Sequence, residues 1–295
     1  MILAKIRRLI WILAVIGLFG ARCGNDTCTQ PKDSEPPIVG MRIDFGAKWC
    51  PADTARIGYT HTAKDWDELQ DLGQESIWIV DIVTGEEKHI TEGTLLDWSP
   101  DGRQILLGRE GEPATLRDLT TGEEITLPIY SGPIDLSPTG EEIAYVCWEG
   151  QIGIHIMNLA TLEAEWIARR YYCDWSPEGQ KILCDHLLVI ARDGSPLQGI
   201  PVGPGPGIAS QGRWSPDGTR IAFGGYCDEG GQDPAVWVVN ADGTELRRIA
   251  CRGAQPSWSP DGKSVAFTAT SSSGYISAIW ITSVDGNKVR QVTFP

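Results

Sequence analysis

The chain has 295 residues, 41% of them hydrophobic, which is enough for an ordinary folded core. With 25 basic and 39 acidic residues its formal charge is −14. That balance excludes the basic footprint that nucleic-acid binding requires, and it opposes contact with an anionic membrane surface.

The N-terminus opens on MILAKIRR, with Lys5, Arg7 and Arg8, followed by thirteen apolar residues from Leu9 to Ala21. As a helix that run is about 20 Å long, short of the ~30 Å hydrocarbon core of a bilayer. Residues 1–22 are predicted to form a signal peptide or membrane-anchor helix. Cys23 is a lipidation candidate, although Arg22 breaks the small-residue pattern that should precede such a cysteine. Residues 23–42 are polar and contain several prolines, so they read as a flexible tether. The expected location is therefore exported: periplasmic, cell-surface or extracellular, with or without a retained membrane tether.

From residue 43 onward one short phrase recurs. DWSPDGRQILL starts at Asp97, RWSPDGTRIAF at Arg213 and SWSPDGKSVAF at Ser257. Looser copies are WCPADTARIGY from Trp49, LSPTGEEIAY from Leu136 and WSPEGQKILC from Trp175. The anchors at 49, 98, 136, 175, 214 and 258 are separated by 49, 38, 39, 39 and 44 residues. A period near 40 residues marks a repeat array.

Each phrase predicts a turn and then a strand. Pro presets φ, Asp bonds nearby backbone and Gly takes the positive-φ position. The run that follows alternates apolar and other residues, as a half-buried strand does. The repeated Asp reads as a turn former rather than an acid or metal ligand, since two copies replace it with Thr139 or Glu178. A second hairpin follows in each repeat, as in SIWIVDIVTGEEKHIT from Ser76 and AVWVVNADGTELRRIA from Ala235. Trp78, Trp237 and Trp280 recur within these hairpins and are expected to pack rather than to form a ligand platform. With the segment before each anchor, every repeat holds four strands, A to D.

The W-S-P-D-G turn, the I-A-F strand and the I-W-V-x-x-x-D-G hairpin resemble the TolB-like β-propeller family. The resemblance covers residues 43–295. It implies an all-β fold, a six-bladed β-propeller of four-stranded antiparallel blades, preceded here by the signal or anchor helix. TolB itself carries an α/β domain ahead of its propeller, and residues 24–42 leave too little chain for one. Prolyl oligopeptidases join a similar propeller to a hydrolase domain, and no G-x-S-x-G elbow occurs in this sequence.

Propeller geometry sorts the loops. A–B and C–D turns lie on one face and repeat nearly the same text. B–C and D–A loops lie on the other face and vary. Cys147, Cys173, Cys184, Cys227 and Cys251 fall near the variable face, and Cys173, Cys184, Cys227 and Cys251 are disulfide candidates in an exported chain. They also read as buried thiols or, with His186, as a metal cluster, although their spacing matches no zinc pattern. The histidines His61, His89, His155 and His186 are dispersed over separate repeats.

No metal site, cofactor or catalytic residue is identified. The leading expectation is an exported, monomeric, non-catalytic scaffold that holds a protein, peptide or glycan on its variable face. Trp66 and Tyr275, in the long loops 60–76 and 268–277, are the predicted binding residues. The alternative is a carbohydrate-active or metal-dependent lyase or hydrolase centred in the axial funnel. Histidines and carboxylates gathered on the inner ends of strands A would favour that alternative.

Overall fold

The computed structural model describes residues 41–64, 74–130, 132–202, 210–226, 234–270 and 277–294. The predicted leader helix, Cys23, Trp66, Cys227 and Tyr275 lie outside the described residues.

Each repeat supplies four strands. Repeat 1 gives β1 (Met41–Trp49), β2 (Arg56–Lys64), β3 (Glu75–Asp81) and β4 (Glu87–Glu92). Repeat 2 gives β5 (Thr94–Trp98), β6 (Gln104–Gly108), β7 (Thr115–Asp118) and β8 (Glu124–Thr126). Repeat 3 gives β9 (Ile134–Leu136), β10 (Glu142–Cys147), β11 (Gly153–Asn158) and β12 (Ala164–Ala168). Repeat 4 gives β13 (Asp174–Trp175), β14 (Lys181–Leu183), β15 (Leu188–Ala191) and β16 (Pro196–Gly199). Repeat 5 gives β17 (Ser210–Trp214), β18 (Arg220–Tyr226), β19 (Pro234–Asn240) and β20 (Arg247–Cys251). Repeat 6 gives β21 (Gly253–Trp258), β22 (Ser264–Thr270), β23 (Ser277–Ser283) and β24 (Val289–Gln291). All six anchors end a strand A. The one helical element among the described residues is a 3-10 turn at Asp185–Leu187.

Consecutive strands within a repeat pair antiparallel, so the chain is an all-β propeller of four-stranded antiparallel blades. Repeats 2 to 5 form four separate sheets, whereas repeats 1 and 6 share one eight-stranded sheet. The expectation of six separate blades is corrected at this junction. A single parallel pair, Ile43 opposite Ser277, makes the join. The register of β1 with β2 shifts between Phe45 and Lys48, as it does in the first strands of repeats 2, 5 and 6. Gly46 sits in that bulge at φ +65°, where a residue with a Cβ would be strained. A bulge bends its strand, and Ile43, ahead of this one, is the residue that pairs with Ser277 of β23. Among the described residues, each repeat's four strands come from its own stretch of sequence.

The recurring phrase builds this architecture. Ser99, Ser215 and Ser259 each accept a bond from the amide that opens strand B, on Gln104, Arg220 and Ser264, all at 2.9 Å. Asp101, Asp217 and Asp261 each accept the same serine hydroxyl at 2.6 Å. The glycine N–H closes the turn on the serine carbonyl, as from Gly218 to Ser215 at 2.8 Å. Thr139 replaces Asp at 3.2 Å from Ser137 Oγ and keeps the turn. The repeated carboxylate is thus committed to its own turn.

The core lies between neighbouring sheets. One cluster joins Ala144, Val146, Ile154 and Ile156 of repeat 3 to Trp175, Ile182 and Ile190 of repeat 4. The next joins Leu183 and Val189 of repeat 4 to Ile221 and Phe223 of repeat 5. The two faces of one sheet serve the two gaps because successive side chains point to opposite sides. Burial of each such side chain contributes about 1.5–3 kcal/mol.

Candidate functional site

The alternation along strand A builds the centre of the ring. Trp98 faces back and donates Nε1–H to the Lys48 carbonyl of repeat 1 at 3.1 Å. Asp97, one residue earlier, faces forward and accepts from Leu136 N–H of repeat 3 at 2.8 Å. The pattern runs on around the ring. Trp175 N–H bonds Asp135 at 2.7 Å, and Trp214 N–H bonds Asp174 at 2.8 Å. Trp258 Nε1–H bonds the Arg213 carbonyl at 3.0 Å, and Trp49 N–H bonds Ser257 Oγ at 2.9 Å. Every repeat is thereby tied to the one before it, and repeat 1 to repeat 6.

The residues before the anchors meet at the axis. Arg213 Nη1 lies 2.8 Å from Asp135 and 2.6 Å from Asp174, spanning three repeats. Lys48 Nζ lies 3.5 Å from Asp97. The Arg213 guanidinium also sits 5.7 Å from the Tyr172 ring centroid. Burial, and then the Asp174 and Asp97 carboxylates, push Asp135 well above the usual carboxylate range against the pull of Arg213. Burial raises Asp174 as well, with Arg213 opposing it. Tyr172 Oη is buried with no hydrogen-bond partner among the described residues.

A second constellation lies where β1 meets β2. His61 Nδ1 is 2.8 Å from Asp44 Oδ1, and the Asp44 side chain is fully buried. The other histidines do other work. His89 is 3.3 Å from Glu92 at the surface. His155 stacks on Tyr145, facing away from buried Ile154 and Ile156. His186 sits in the 3-10 turn at φ 59°. Among the described residues no group of three His, Cys, Asp or Glu side chains could hold a metal ion.

The variable face carries aromatic side chains. Trp148, between β10 and β11, stacks on Tyr171, between β12 and β13, with centroids 5.6 Å apart and planes 2° from parallel. Tyr171 is 42% exposed, and Tyr130, between β8 and β9, is 72% exposed. Tyr171 is fixed from below, its N–H bonding Asp185 Oδ1 at 2.8 Å.

The family of TolB beta propeller domains matches residues 117–293. The chain belongs to that family. A stretch of 83 residues is 39% identical to the Tol-Pal system protein TolB of Alcanivorax borkumensis, covering 25% of this chain and 18% of that one. TolB from Acinetobacter baumannii superimposes with a TM-score of 0.65 at 18% identity, over 84% of this chain and 62% of that chain. The chain therefore spans less than two thirds of the length of these two TolB proteins. An oligogalacturonate lyase in complex with manganese shares the fold with a TM-score of 0.57 at 15% identity, over 85% of this chain and 77% of that one.

Within this TolB-like propeller the predicted residues scatter. Cys173 and Cys184 are buried thiols in the same core cluster, and Cys251 is buried at the end of β20. Trp78, Trp237 and Trp280 are half-buried against core clusters, as packing required. The axial set Lys48, Asp97, Asp135, Asp174 and Arg213 was missed. Its signal was present: each residue stands one place before an anchor. Trp148, Tyr130 and Tyr171 were missed too, although each lies in a non-repeating loop.

Proposed function

We propose that this chain is an exported scaffold that binds a protein partner on its variable-loop face, within a ring of six blades. The eight-stranded sheet counts as two of them, since it consists of two four-stranded meanders joined by one residue pair. The basic, apolar leader supports export, with residues 1–22 as leader, 23–42 as tether and 43–295 as propeller. The Tol-Pal name of the matched relative supports a protein partner in the cell envelope.

The stacked Trp148–Tyr171 pair carries the reading. Rigid aromatics held out by a scaffold cost little ordering entropy and make good anchors for a protein segment. The opposite face offers short turns whose carboxylates are consumed by their own backbone. Trp66 and Tyr275, outside the described residues, are proposed as further binding residues.

A photo-crosslinking residue at Tyr130 or Tyr171, and at Asp101 or Asp217 on the opposite face, tests this in cells. The expected adduct forms from the first pair and disappears in Trp148→Ala. Adducts from Asp101 or Asp217 alone would place the working surface on the wrong face.

The lyase or hydrolase reading keeps one specific support, the buried Asp44 that orients His61. The axial carboxylates do not add to it, because each already holds a neighbouring amide and Arg213 or Lys48.

A further inference from the structure

Repeat 4 has the shortest A–B pairing of the ring. Only Asp174 with Leu183 and Trp175 with Ile182 are paired between β13 and β14. Repeat 1 pairs seven residues at the same place. The register continues by one step beyond the ladder, and that step sets Cys173 opposite Cys184.

The hydrogen bonding decides what kind of pair this is. Cys184 N–H donates outward to Leu188 O on β15 at 2.7 Å, so it points away from β13. Ser176 N–H bonds Lys181 O at 2.9 Å, which sets the alternation along the two strands. Counting from there, 175 with 182 is a non-hydrogen-bonded pair, 174 with 183 a bonded one, and 173 with 184 non-bonded again. Non-bonded pairs bring Cα atoms to about 4.5 Å, inside the roughly 4.4–6.8 Å span a disulfide requires. Both side chains enter the same cluster against repeat 3, so both project from one face of the sheet. As thiols they contact backbone carbonyls: Cys173 to Ala144 O at 3.4 Å and Pro133 O at 3.7 Å, and Cys184 to Ile182 O at 3.9 Å.

We propose that Cys173 and Cys184 form a cross-strand disulfide that staples repeat 4 where its ladder is shortest. The bond would fix Asp174, the next residue, in position to hold Arg213. The inference rests on the export reading only for where oxidation happens. The oxidant is a disulfide, RSSR. One cysteine thiolate attacks it, forming a mixed disulfide and releasing one RS⁻. The second thiolate displaces the other RS⁻. The two cysteine protons end on the departing sulfurs, and the balance is two Cys–SH plus RSSR giving cystine plus two RSH. Burial pushes the Cys184 thiol up to about 12, and it raises Cys173 too. In the folded ring neither thiol is nucleophilic or accessible, so the bond must close before repeats 3 and 4 pack together.

Trypsin gives a direct test, because Lys181 lies inside the closed loop. Cleavage at Arg170, Lys181 and Arg192 yields peptides 171–181 and 182–192, each with one cysteine. The full chain is purified from an oxidising compartment, alkylated in denaturant without reduction, digested and weighed. A parallel sample is reduced, unfolded and refolded in oxidised and reduced glutathione. The expected product in both is the two peptides joined, two hydrogen atoms lighter than their sum and free of alkyl groups. Full alkylation of both cysteines in the refolded sample, or linkage of either to another cysteine, overturns the pair. Linkage on refolding with full alkylation in the cell-derived sample keeps the pair and overturns the export reading.

Discussion

Replacing Arg213 by Met keeps most of the apolar stem and removes the one group that neutralises two buried carboxylates. Breaking a buried ion pair by removing one partner costs about 3–5 kcal/mol, because the other charge is left behind. The amide bonds from Trp175 and Trp214 remain, so the carboxylates keep one donor each. What relieves the rest is protonation. Asp135 is already raised above its ordinary 3.8 with Arg213 present. Without the guanidinium both it and Asp174 rise further. An acid whose folded pKa exceeds its unfolded one favours the folded state most at low pH. That advantage fades as pH rises from the unfolded value through the folded one. The deficit of Arg213→Met against the native protein should therefore be small near pH 5 and grow to about 3–5 kcal/mol near pH 8. Each unit of further upward shift widens it by about 1.4 kcal/mol. Urea denaturation of both proteins at the two pH values measures this directly. Adding Asp135→Asn, which replaces a charge with a neutral amide, should recover part of the deficit at pH 8. A deficit below about 1 kcal/mol at pH 8, or one equal at both pH values, would refute the axial account.

Trp98→Ala should cost about 3–5 kcal/mol in chemical denaturation, since Trp98 is 2% exposed and bonded to repeat 1, and Trp214→Ala should cost less because Trp214 is only half-buried. Gly218→Ala should lose about 1–2 kcal/mol of stability from its φ of +69° alone, with its nearest neighbour 3.7 Å from a built Cβ. Gly102→Ala should lose more on the same thermal or chemical melt, because its Cβ would come within 2.6 Å of Cys50 Sγ. Asp217 is held down at about 2, chiefly by the Ser215 hydroxyl, so its contribution to stability is present above pH 4 and is lost as pH falls toward 2. NMR titration of the carboxyl should show that midpoint, and Ser215→Ala should move it up toward 3.8.

Much of this molecule is local and was therefore legible in the sequence. Ser215, Pro216, Asp217 and Gly218 form their turn from contacts within five residues, and the sequence is enough to predict it. Alternation at Ile221 and Phe223 announces a half-buried strand, and the spacing of the anchors announces the ring. Tertiary structure decided what comes together from far apart. Asp174 stands 39 residues before Arg213 and Asp135 stands 78 before it, and only packing of the repeats makes them one charged cluster. Read singly, each is a polar residue before an aromatic. Repeats 1 and 6 share a sheet through the pairing of Ile43 with Ser277, residues from opposite ends of the propeller sequence, a join no pattern of polarity encodes. Trp148 and Tyr171, in different loops, become a stacked pair only because one gap between strands brings those loops side by side. Short-range hydrogen bonds and period-two burial fix the repeat. The axis, the closure and the aromatic face depend on distances that exist only once six such repeats have packed.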